Sequence, residues 1–236
     1  MSIQKRATAV ANGATPVTLT LASGTAVTPT TLLLVGVALT VQTNTVASMV
    51  PSIGTGTFTQ LFSVAGTSRA LAVWMGYGFS TTNKTLTIIT SADAMAVSAL
   101  QLDTHSGFGS APTVAANAGS TGTSTTPDSG LVTGITVGDI VVTAAAWAHT
   151  TAASARTGVG GGFDEISTSY STTATRISLS YREATVTSDH SQSWTITSGA
   201  WAAGGARITL PAAAAAATGW VYKGRVLSTQ DTAAAA

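Results

Sequence analysis

The stretch Thr31-Leu-Leu-Leu-Val-Gly-Val-Ala-Leu-Thr40 is answered 108 positions later by Asp139-Ile-Val-Val-Thr-Ala-Ala-Ala-Trp-Ala148. Each is a short apolar run bounded by polar or turn residues, the pattern of a β-strand, and far short of a membrane-spanning helix. Four further segments repeat in the same order. Gly56–Leu61 lines up with Gly161–Ile166, Arg69–Trp74 with Arg176–Tyr181, Leu86–Thr90 with Trp194–Ser198, and Ser91–Leu102 with Gly199–Leu210. Offsets held between 105 and 108 imply two copies of one five- or six-strand unit. In this alignment Trp74 falls opposite Tyr181 and Phe58 opposite Phe163, as duplicated core anchors.

Other runs complete an all-β, antiparallel sandwich: Val17–Ala22, Thr57–Val64, Lys84–Thr90, Ala94–Asp103, Phe163–Ser169, Thr175–Glu183, Gln192–Thr197 and Trp201–Leu210. Alternation is clearest in Arg176–Arg182, where Ile177, Leu179 and Tyr181 take one face. Ser178, Ser180 and Arg182 take the other, which is expected to meet water or a partner. The organisation expected is an extended N-terminal arm over 1–15, a first β repeat over 16–105, a Gly/Ser/Thr-rich connection over 106–130, a second repeat over 131–225 and a flexible tail over 226–236. The second copy shows no clear counterpart of Val17–Ala22, which favours one two-sheet unit over two packed sandwiches.

Composition narrows the chemistry. Thr (44), Ala (42), Ser (25) and Gly (24) fill 135 of 236 positions, and only 19 residues are charged. The formal net charge of +1 offers no electrostatic footprint for nucleic acid or an anionic membrane. The absence of cysteine removes disulfide scaffolds, thiolate metal sites and Cys nucleophiles. No apolar segment follows Lys5 and Arg6, so the N-terminus does not read as a signal peptide.

Few groups could carry catalysis. His105, His149 and His190, with Asp103, Asp164 or Asp189, would have to converge to bind a metal, and none shows ligand spacing. Asp189-His190-Ser191 has the letters of a nucleophilic triad, but adjacent residues point apart and a triad is defined by geometry. Asp164-Glu165 fails as a glycosidase dyad for the same reason. Gly158–Gly162 lacks the Lys-Ser/Thr ending and helix of a phosphate-binding loop and reads as a hairpin or bulge. No cofactor, metal or catalytic residue is expected. Trp201 and Trp220 are the candidate ligand or subunit contacts, since an exposed tryptophan stacks on sugar rings or anchors an interface.

The series Gly-Asp139-Ile-Val-Val, Gly-Gly-Phe163, Ser-Leu-Ser-Tyr181-Arg182 and Ser-Trp194-Thr-Ile-Thr-Ser-Gly-Ala-Trp201, matched in the first copy by Leu32–Val37, Thr57–Ser63, Arg69–Tyr77 and Lys84–Thr90, resembles a jelly-roll-like β-sandwich module of tailed-bacteriophage virion structural proteins. The resemblance implies a non-enzymatic capsid decoration, cement or minor head protein. It would be made in the host cytoplasm and located in the virion, with the major capsid protein or other virion proteins as partners and a homo-oligomeric state. The alternative it implies is a tail or fibre component that binds a carbohydrate or receptor, with a surface glycan as ligand.

Overall fold

The two central strands explain why the decisive runs are apolar throughout. In a computed structural model, β3 (Thr31–Leu39) is buried along its whole length and β10 (Ile140–Ala148) along all but its last residue. Each is covered on both faces, so alternation is lost and an unbroken apolar run replaces it. The structure describes residues 4–20, 31–51, 54–80, 85–91, 94–103, 111–148, 164–170, 175–197, 199–211, 220–222 and 225–227. All regular elements among them are strands.

The first copy comprises β1 (Gln4–Ala14), β2 (Val17–Thr20), β3, β4 (Val46–Pro51), β5 (Thr57–Ala65), β6 (Ala70–Tyr77), β7 (Thr85–Thr90) and β8 (Ala94–Asp103). They form a five-stranded sheet ordered β1-β8-β3-β6-β5 and a three-stranded sheet ordered β2-β7-β4. First pairs with eighth, second with seventh and third with sixth, all antiparallel. That winding is a jelly roll.

The second copy repeats it. Strands β9 (Thr113–Gly122), β10, β11 (Asp164–Tyr170), β12 (Thr175–Glu183) and β13 (Trp201–Thr209) form a sheet ordered β9-β13-β10-β12-β11, the same order element for element. Its outer layer is looser: Asp128 bridges Ser193, Val132 bridges His190, and the Trp194 and Ile196 amides donate to the Pro127 and Thr125 carbonyls. The 190–196 stretch, already aligned with β7 in sequence, is thereby paired with residues 125–132, which supply the counterpart of β2 that the sequence did not reveal. Each copy therefore has its own two layers, and the expectation of a single two-sheet unit is corrected. Two segments are likewise reassigned: residues 113–122 of the expected connection are strand β9, and residues 4–14 of the expected arm are strand β1. A separate hairpin, β14 (Trp220–Tyr222) with β15 (Arg225–Leu227), follows.

The copies meet through the inner faces of the five-stranded sheets. One core joins Leu32, Leu34, Phe62, Leu71, Val73 and Met75 to Val142, Ile177, Leu179, Tyr181, Ala206 and Ile208. The contacts are reciprocal: β1 lies on β11 as β5 lies on β9, β8 on β11 as β13 on β5, and β3 on β12 as β10 on β6, with β3 against β10 between them. Exchange of roles across one interface is the signature of a two-fold relation, here within one chain. Small residues permit the approach. A Cβ at Gly36 would sit 2.8 Å from Ile177 Cδ1, and one at Gly204 would sit 2.7 Å from the Phe62 ring. Outside this layer, Leu33, Val35, Val37 and Val97 pack under Val17, Leu19, Leu86 and Ile88 of the three-stranded sheet. Across the molecule, Ala145, Trp147, Trp201 and Ala203 pack under Trp194 and Ile196.

Register corrects one expected equivalence. Leu34 pairs with Met75, whereas Val142, its inner-face counterpart, pairs with Tyr181. Met75 is thus the partner position of Tyr181, and Trp74 packs against the opposite, outer core. A one-residue slip in a strand alignment exchanges faces. Phe163 lies outside the described residues.

The outer strands share a further feature. β1 is bulged at Arg6, β4 at Ala47, β5 at Leu61, β9 at Ala115 and β11 at Ile166, each the residue skipped in an otherwise continuous pairing. The bulges of β1 and β9 correspond, as do those of β5 and β11. Leu61 is buried in the shared core, so its bulge re-aims an apolar side chain inwards.

Candidate functional site

With both inner faces packed against each other and both outer faces covered, the surfaces left are the two covering layers, the edges and the loops. On the first copy, the cover is the sheet β2-β7-β4, in which no residue is ionisable. Alternation buries Val17, Leu19, Leu86, Ile88 and Met49 and turns the intervening residues outwards. Register sets Thr87 between Thr18 and Val50, Thr20 beside Thr85, and Ile89 beside Ser48. Val50 and Ile89 are 48% and 39% exposed. The result is a neutral face of threonine methyls and hydroxyls with two aliphatic side chains.

The second cover is different in chemistry. Leu131, Val137 and Val186 are more than half exposed, and ionisable groups lie near them. The Asp189 carboxylate accepts from the Gly134 amide at 3.1 Å, tying the 132–138 segment to the strand-like stretch that carries His190. His190 exchanges backbone hydrogen bonds with Val132 at 2.8 and 3.0 Å. Burial, with the Arg182 charge next, holds its imidazole below the ordinary histidine value, and Asp189 opposes that shift. Beneath this layer, Asp139 is 2% exposed and fully used: Oδ1 accepts from Thr209 Oγ1, and Oδ2 accepts from the Thr136 amide and hydroxyl, with Arg207 Nη1 at 3.6 Å. Its chemistry is that of a structural knot.

Other sequence candidates take their places as follows. Trp201 lies 6% exposed in the Trp147/Trp194 cluster, paired across the ladder with Trp147, and its Nε1 donates to Ser124 Oγ at 3.2 Å. That ring is used in the core and offers little surface to a sugar. Trp220 opens β14, and its side chain lies outside the described residues, as do His105, His149 and Gly158–Gly162. Asp164 and Glu165 occupy successive positions of β11, opposite Tyr181 and Ser180, and their side chains lie outside the described residues. No group of three or more metal-ligating side chains occurs among the described residues. Ser178 and Ser180, expected to meet water or a partner, are buried: Trp194 Nε1 donates to Ser178 Oγ at 3.2 Å, and Ser180 Oγ lies 3.0 Å from Thr143 Oγ1. No helix among the described residues is long and apolar enough to cross a membrane.

Fold and surface together define a duplicated all-β jelly-roll sandwich with one neutral and one weakly charged cover. The chain matches no family model, no curated protein and no solved structure.

Proposed function

We propose that this chain is a non-enzymatic structural protein of a tailed-phage virion, acting as a decoration or cement protein on the assembled shell. The observation that carries the reading is the uncharged outer sheet β2-β7-β4, whose Thr, Ser, Val and Ile side chains lose little rotamer entropy when a neighbour covers them. The jelly-roll pairing and its duplication support it, being the architecture the sequence resemblance implies. Bulged edges support it further, because they favour attachment through faces over strand addition to the sheets. Association then comes from burial of complementary, weakly charged surface on the major shell protein.

Mass spectrometry of purified particles from a host carrying the gene should find the chain at a fixed ratio to the major shell protein. Molar salt should leave it attached, because neutral contacts are not screened. Loss of the protein at high salt with retention at low salt would refute this interface. The glycan-binding alternative gains nothing from Trp201, which the core consumes.

A further inference from the structure

The cover of the second copy is fastened by isolated bridges where the cover of the first has continuous ladders. Past its bridge to His190, the chain runs from Val132 through two left-handed glycines, Gly134 and Gly138, into Asp139 and β10. This 132–138 strap is tied at both ends. At one, Val132 exchanges backbone hydrogen bonds with His190, and the Gly134 amide donates to the Asp189 carboxylate at 3.1 Å. At the other, the Gly138 amide donates to the Ala184 carbonyl at 2.8 Å, and Thr136 donates to Asp139.

Beneath the strap, Val132 and Ile135 pack with Val141 and Ala184 in a small apolar core, separate from the core between the copies and from the tryptophan cluster. A segment held by so small a core and a few backbone hydrogen bonds opens at a lower free energy than the sheets it covers.

His190 stands at the first of the two ties, and its Nε2 is buried. The charged groups around this layer are Arg182 and Glu183 at the end of β12, Asp189 next to it in sequence, Asp128 on the paired segment, and Arg207 with Asp139 below the strap. Asp128 Oδ1 accepts from the Gly130 amide at 2.7 Å, and Asp139 is taken up by Thr136, Thr209 and Arg207. Burial and then the Arg182 charge act against a proton on His190, and Asp189 acts for one.

We propose that the 132–138 strap and the 189–190 stretch form an acid-released clasp, which opens over its small apolar core when the His190 imidazole takes up a proton. The charged ring is disfavoured while the clasp is shut and gains hydration once it parts from Val132, so acid shifts the balance towards the open form. The two five-stranded sheets stay folded, because the core between them contains no group of the clasp. This inference is independent of the virion reading.

Hydrogen exchange of the full-length chain, read by mass spectrometry and corrected for the intrinsic pH dependence of exchange, tests the clasp. Between pH 7.5 and 5.5 the protection of residues 131–138 should fall several-fold. The ceiling is about tenfold, set by the single pH unit below the unfolded histidine value. Protection over Thr31–Leu39 and the far-ultraviolet circular dichroism should hold across the same range. His190→Asn should keep the strap protected at pH 5.5, and Arg182→Gln, which removes a charge opposing protonation, should move the opening to lower pH. Unchanged protection of the strap at pH 5.5, an equal loss over Thr31–Leu39, or the same loss in His190→Asn would overturn the proposal. Where His190→Asn does not fold, an opening in Arg182→Gln at the same or a higher pH than in the unmodified chain has the same force.

Discussion

Asp139 shows how one residue can be conspicuous in sequence for one reason and important in the fold for another. It marks the start of the second long apolar run, yet its carboxylate is buried and receives hydrogen bonds from Thr136 and Thr209 beside Arg207. Replacing it with alanine strands those donors, and Asp139→Ala should lower stability by about 3 kcal/mol in urea titration. His190 gives a pH prediction. Its folded pKa is depressed, so the unfolded chain binds the proton more readily; its contribution is complete above the unfolded value near 6.5 and is lost as pH falls through that value towards the lower folded one. The melting temperature should therefore drop below pH 6.5, and His190→Asn should reduce the drop between pH 7.5 and 5.5. An equal drop in both proteins would exclude His190 as its source. Neither role was legible from sequence, because both depend on burial and on neighbours tens of residues away.

Among elements, the long central strands were the most legible and the edge strands the least. Thr31–Leu39 and Ile140–Ala148 announce themselves because burial on two faces demands an unbroken apolar run. Thr113–Gly122 looks like a linker because its small residues match what a linker uses. In the structure those residues are small for a steric reason: a Cβ at Gly119 would meet Val64 at 2.7 Å, and one at Gly122 would meet the Trp201 ring at 2.7 Å. The neighbouring β13 obeys the same constraint. Gly204→Ala, whose new methyl would press on the Phe62 ring and lie 2.9 Å from the Ala118 carbonyl oxygen, should cost roughly 1–3 kcal/mol in chemical denaturation. Gly78→Ala is a poor control because of its positive φ; an exposed substitution such as Thr18→Ser is the better comparison and should change stability by less than about 0.5 kcal/mol.

For the whole molecule, the shared inner core makes a thermodynamic claim. Leu34, Phe62 and Val73 of one copy are buried by Ile177, Leu179 and Tyr181 of the other, so neither sheet keeps its inner face covered if the other unfolds. Unfolding should be a single transition, with tryptophan fluorescence dominated by the second-copy cluster and far-ultraviolet circular dichroism giving the same midpoint. Two separated transitions would show that each jelly roll is stable alone.

The sequence by itself determined the strand chemistry, the all-β class and the duplication, because apolar periodicity and an ordered repeat are properties of the chain read locally. Only the tertiary structure decided that the repeats stand back to back as two two-layered jelly rolls, that residues 4–14 and 113–122 complete their sheets, and that Trp74 and Tyr181 face opposite cores. Those outcomes rest on register, bulges and the approach of distant backbones. A strand's sequence specifies which side chains alternate, while its partners determine which face is buried and against what.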